Sequence, residues 1–145
     1  MELIREAQTS YPQDEFFSRI EEMLDSSPKA RAIYSNYDTA LSYLDHDSWR
    51  ELSQKALAHF LDHRQGQWKQ GFFNQINEAF AYQYLVRQSH TNVRILREGR
   101  TTTPDIAYCA GSAPRHCEVK SMTSPKTKSR IACLTSTSIA ATTLS

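Results

Sequence analysis

The sequence predicts a single domain of the α+β class. A helical layer over residues 1–69 leads into a core of one long helix and a three-stranded mixed or antiparallel sheet over 70–123, followed by a tail over 124–145. Three observations predict it. Apolar residues recur every three or four positions as far as Gln88, they alternate with polar ones from Thr91 onward, and glycines and prolines interrupt the alternating part twice. A chain of 145 residues can bury one core but is short for two.

In the first half, Asp14 precedes Phe16, Phe17, Ile20, Met23 and Leu24, a one-face spacing that predicts a capped helix ending before Pro28. Asp38 is placed to cap a short helix through Leu44. Ser48 and Glu51 have capping-box spacing, so a helix is expected from Ser48 to about His63. Gly66 and Gly71 punctuate the chain before a long helix over 72–88. At 100° per residue that helix carries Phe72, Phe73, Ile76, Ala79, Phe80 and Val86 on one broad stripe and Ala81, Tyr82 and Leu85 on a second. Apolar on two faces, it is expected to be buried. Glu78 falls in the second stripe, where a carboxylate needs a partner because an unpaired buried charge is costly.

Strands are expected over 92–97, 105–110 and 116–122, separated by segments of turn composition at 99–103 and 111–114. After Met122 the chain becomes rich in Ser and Thr, with a weak helical signal and no clear strand.

Net charge is +1 but unevenly spread: residues 1–86 hold eight Lys/Arg against thirteen Asp/Glu, and residues 87–130 hold nine against three. A basic half of this kind suits a phosphate backbone, with Arg100, Lys126, Lys128 and Arg130 as candidate contacts. No run of eighteen uncharged apolar residues exists to span a bilayer, and the N-terminus lacks the apolar stretch of a secretory signal, so a cytoplasmic protein is expected. Cys109, Cys117 and Cys133 are an odd set without a CxxC pair, which argues against a disulfide framework or a zinc ribbon.

The candidate chemistry lies on the last hairpin. A four-residue loop over 111–114 would set Ala107 opposite Glu118 and Asp105 opposite Lys120, and alternation would then gather Asp105, Glu118 and Lys120 on one face. Two carboxylates side by side repel, and a hard divalent cation relieves that repulsion; oxygen ligands of this kind suit magnesium better than zinc. Phosphodiester hydrolysis is the reaction such a group serves, with Lys120 orienting the attacking water or stabilising charge on the phosphate.

Thr103-Pro104-Asp105-Ile106 and Cys117-Glu118-Val119-Lys120, with twelve residues between Asp105 and Glu118, resemble the PD-(D/E)xK nuclease signature. Asn77-Glu78-Ala79-Phe80-Ala81 resembles the first core helix of that family with its glutamate. The resemblance covers roughly residues 70–123 and implies a restriction-endonuclease-like core of helix, three strands, helix and strand, with one or two Mg²⁺ ions (Mn²⁺ as substitute) cleaving DNA or, less often, RNA. It implies Asp105, Glu118 and the Val119 carbonyl as metal ligands, Lys120 as the water-positioning residue, and Glu78 as an outer ligand or water holder. This sequence departs from the family pattern in having only a low-complexity segment for the final core helix and strand, so that core is expected to be incomplete or completed by a partner chain or a homodimer.

His59 and His63 have metal-ligand spacing without the glutamate of HExxH and read as a surface pair. Cys109, His116 and Cys117 cluster on the hairpin, but alternation turns the two cysteines apart. The expected function is therefore a magnesium-dependent deoxyribonuclease. The alternatives are a nuclease-derived module that binds nucleic acid or protein without cutting, and a truncated gene fragment.

Overall fold

The computed structural model describes residues 1–62, 69–98 and 104–119. Within them the chain forms five helices, α1 (Glu2–Ser10), α2 (Ile20–Ser26), α3 (Pro28–Leu41), α4 (His46–Ala58) and α5 (Gln70–Arg87). Three strands follow, β1 (Thr91–Ile95), β2 (Ile106–Ala110) and β3 (Ala113–Cys117). The expected order of helices followed by strands holds, and the class is α+β. No helix among the described residues is long and apolar enough to cross a membrane.

Several helix boundaries differ from expectation, each for a local reason. α1 is an additional element that buries Leu3, Ile4 and Ala7. The helix expected from Phe16 begins only at Ile20: the Asp14 carboxylate accepts from the Phe16 N–H at 3.0 Å, which holds a turn, and it also pairs with the Lys69 ammonium. Asp38 caps nothing. It lies inside α3, which starts at the Ser27 cap with Pro28 in its first turn, and its carboxylate holds the N-terminal ammonium of Met1. α4 is capped by Asp45, whose Oδ1 accepts from the Ser48 N–H at 2.7 Å. Ser48 is thereby freed for a long-range contact, since the buried Ile95 N–H donates to its Oγ at 3.1 Å and bolts α4 to β1.

The core runs without interruption from α1 to β3. Phe17, Phe60 and Phe72 interlock at its helical end, with ring centroids 5.8 Å apart for Phe17 and Phe72 and 5.3 Å for Phe60 and Phe72. The Lys69 ammonium lies 3.8 Å over the Phe60 ring, fixing the entry to α5. Gly71, in the first turn of α5, is required by packing: a Cβ there would meet the His59 carbonyl oxygen at 2.7 Å.

The sheet is antiparallel in the order β1-β2-β3. Val93, Ile95, Ile106, Tyr108 and Cys117 are buried. The hairpin register corrects the expected one. Ala110 pairs with Ala113 and Ala107 with His116, rather than Ala107 with Glu118, because the loop is two residues, Gly111 and Ser112, and not four. Gly111 at φ +63 supplies the left-handed first position that a tight two-residue hairpin needs. β3 thus starts at Ala113 and ends at Cys117, short of Glu118, while Pro114 is tolerated because β3 is an edge of the sheet.

Candidate active site

Asp105 and Glu118 flank the open end of the β2–β3 hairpin. The pairing of Ile106 with Cys117 brings them alongside each other. Past that pair the ladder leaves its regular register. The Asp105 N–H donates to the Cys117 carbonyl at 3.1 Å, while the Val119 N–H donates to Asp105 Oδ2 at 2.6 Å in place of a main-chain acceptor. The Asp105 side chain is thereby fixed by the chain just past β3, where Glu118 lies. Both residues are half-buried. Burial raises the Asp105 carboxyl above its usual range against the opposing effects of the Val119 N–H and Lys55, and the neighbouring Glu118 and Glu98 carboxylates raise it further.

Glu78 approaches from α5. It is buried, and both its oxygens accept from the Lys55 ammonium of α4, each at 2.8 Å. The two side chains are 5 % and 6 % exposed, so the carboxylate that the α5 pattern placed among apolar residues has the partner it needed. Desolvation pushes the Glu78 carboxyl up to about 7 despite Lys55, with Asp105 and Glu98 adding repulsion. Glu78, Asp105 and Glu118 come from three separate stretches of chain, and electrostatic coupling links Glu78 to Asp105 and Asp105 to Glu118.

Lys55 and Glu98 are the two members of this constellation that the sequence reading missed. Lys55 had a legible signal, because it lies three residues after Leu52 on the buried stripe of α4, where a lysine demands an anion. Glu98 had none beyond its position after β1. It is exposed and lies 3.4 Å from His59 Nε2, whose other ring nitrogen is 2.5 Å from Asp62 Oδ2. The two acidic neighbours outweigh desolvation and raise the His59 pKa. His59 is therefore held between two acidic side chains at the α4 exit; His63 lies outside the described residues. So do Lys120, Arg100, Lys126, Lys128 and Arg130. The Val119 main chain is seen through its N–H, which serves Asp105.

Cys109 and Cys117 belong to opposite sides of the hairpin, as alternation predicts, since Cys109 pairs with Pro114 and Cys117 with Ile106. Among the described residues no three His, Cys, Asp or Glu side chains already converge as a metal-holding group. Comparison of the chain with protein-family models, curated proteins and solved structures finds no match.

Proposed function

We propose that this chain is a metal-dependent nuclease of the PD-(D/E)xK type that hydrolyses phosphodiester bonds in DNA. The observation that carries the reading is the approach of Glu78 on the long helix to the Asp105 and Glu118 pair at the hairpin end, in the order helix, strand, strand, strand that a restriction-endonuclease-like core has. The donor set fits a hard divalent cation: Asp105 and Glu118 offer carboxylate oxygens, are half-buried rather than sealed, and repel each other. These two residues would hold Mg²⁺, which would supply positive charge to the scissile phosphate and its attacking water.

The remaining residues position this pair. The Val119 N–H fixes the Asp105 carboxylate, and Lys55 fixes Glu78. Lys120, two residues beyond Glu118, would orient the attacking water, and Arg100, Lys126, Lys128 and Arg130 would contact the phosphate backbone. A second reading, a nuclease-derived module that binds DNA without cutting, is favoured by the commitment of both Glu78 oxygens to Lys55. Nicking of a supercoiled plasmid by the full-length chain separates the two. Turnover with Mg²⁺ or Mn²⁺ and little with Ca²⁺ is expected of the enzyme, whereas retained DNA binding without nicking in any of these ions selects the binding module.

A further inference from the structure

We infer that Glu98 serves the cation as a fourth carboxylate of this site, acting through its charge, and that His59 is its latch: the imidazolium, braced by Asp62, ties Glu98 down and cancels that charge, and the neutral ring releases it. The inference rests on the nuclease reading only in taking the acidic cluster as the place of a cation. Topology supplies its first part. β1 and β3 both run against β2, so the end of β1, the start of β2 and the end of β3 meet at one end of the sheet. The Leu96 N–H donates to the Asp105 carbonyl at 2.8 Å, which carries the β1–β2 pairing past Ile95 and Ile106, and Glu98 follows two residues on. Glu98, Asp105 and Glu118 thus lie just beyond three adjacent strand ends, one at each. Burial is the larger cause of the raised Glu78 and Asp105 carboxyls, and Glu98 adds repulsion to both. A carboxylate that two others feel also draws a cation placed among them.

His59 closes α4 and reaches across to the chain after β1. Its Nδ1 lies 2.5 Å from Asp62 Oδ2 and its Nε2 3.4 Å from Glu98 Oε2. The imidazolium donates to both carboxylates, whereas a neutral ring has a single N–H and serves one. The shorter contact keeps that N–H, so deprotonation turns a lone pair toward Glu98 and frees it. The charged groups that meet here, among the described residues, are Lys55 and Asp62 on and just after α4, Glu78 on α5, and Arg97, Glu98, Asp105 and Glu118 at the sheet end. Lys55 is bonded to Glu78, and α5 meets His59 itself at the uncharged Gly71. Burial opposes charge on His59, but Asp62 and Glu98 outweigh it and raise the pKa above 6.5. His59 is in this view a positioning residue that acts through Glu98.

Two readouts on the full chain test this without reference to cleavage. Nuclear magnetic resonance titration of the His59 ring without metal is expected to give a pKa above 6.5 that falls in Glu98→Gln. Mn²⁺ affinity, read from the free-ion electron paramagnetic resonance signal at about pH 6 and about pH 8.5, is expected to drop by about threefold or more in Glu98→Gln at the higher pH. His59→Gln leaves the Glu98 charge uncancelled, so its affinity is expected to exceed the parent's by about threefold or more at the lower pH, a gap that closes at the higher. Both side chains are partly exposed, and thermal midpoints confirm that each variant folds. A His59 pKa unmoved by Glu98→Gln, a Glu98→Gln affinity equal to the parent's, or a His59→Gln chain weaker than the parent at both pH values overturns the inference, the last marking a histidine that only supports the fold. A parent that binds no Mn²⁺ at either pH removes the nuclease reading and the inference with it, an outcome distinct from those three.

Discussion

A buried carboxylate and a buried ammonium hold each other in place, and each is a liability without the other. Lys55 and Glu78 are both closed from solvent, so truncating one strands the other's charge. Lys55→Met or Glu78→Ala alone should cost about 3–5 kcal/mol in urea denaturation, while the neutral pair Lys55→Met/Glu78→Gln should cost far less. Equal losses in the single and paired variants would show that packing, not charge, dominates. Titration of Glu78 gives a second expectation. Its folded pKa, near 7, lies above the ordinary value of 4.5, so the fold binds its proton more tightly than the unfolded chain. The resulting stabilisation is present below pH 4.5 and is lost as pH rises through about 7. Denaturation from pH 4.5 to 8 with EDTA present should show this decline in the parent relative to the neutral pair. A parent that gains stability on that comparison contradicts it.

The two sides of the helix–sheet junction are joined by contacts that periodicity does not announce. Ser48→Ala would leave the buried Ile95 N–H without its acceptor and should cost about 1–3 kcal/mol, whereas Ser48→Thr keeps the hydroxyl and should cost less. Gly71→Ala should destabilise by about 1–3 kcal/mol, because the added methyl meets main chain that cannot turn aside. Thermal melts of the three variants read both effects, and an unchanged Gly71→Ala midpoint would mean that α4 and α5 separate at little cost. The long helix and the switch to strands were legible because their apolar periods are strong. Caps were not: Asp45, Ser48 and Glu51 all suit a helix start, and only the demand of the Ile95 N–H for an acceptor selects Asp45 as the cap and Ser48 as the bolt. The hairpin was misread by two residues because Pro114 signals a turn, yet an edge strand accepts it. A shift of two leaves Asp105 and Glu118 at neighbouring positions on the two sides of the hairpin, since strand faces repeat every two residues. Lys55 carried a signal on the buried stripe of α4, but its partner, like the role of Glu98, depends on which helices and strands meet.

Across the whole molecule, one continuous core ties the helical layer to the hairpin, and the proposed chemistry sits where α4, α5 and the end of the sheet come together. The acidic first half supplies Glu78, the basic second half supplies Asp105 and Glu118, and phosphate contacts are expected from the latter. Binding of a labelled duplex should therefore weaken as salt rises, and affinity indifferent to salt would count against a phosphate-contacting surface. The central claim is that Asp105 and Glu118 act in phosphodiester hydrolysis rather than in folding or binding. The most direct measurement is single-turnover cleavage of DNA with Mg²⁺ by the parent and by Asp105→Ala, Glu118→Ala and Lys120→Ala, with duplex affinity and thermal midpoint recorded for each. The account predicts loss of most cleavage, by about a hundredfold or more, with affinity unchanged or slightly raised because a repelling carboxylate is gone. Cleavage that persists unchanged in Asp105→Ala and Glu118→Ala would contradict it.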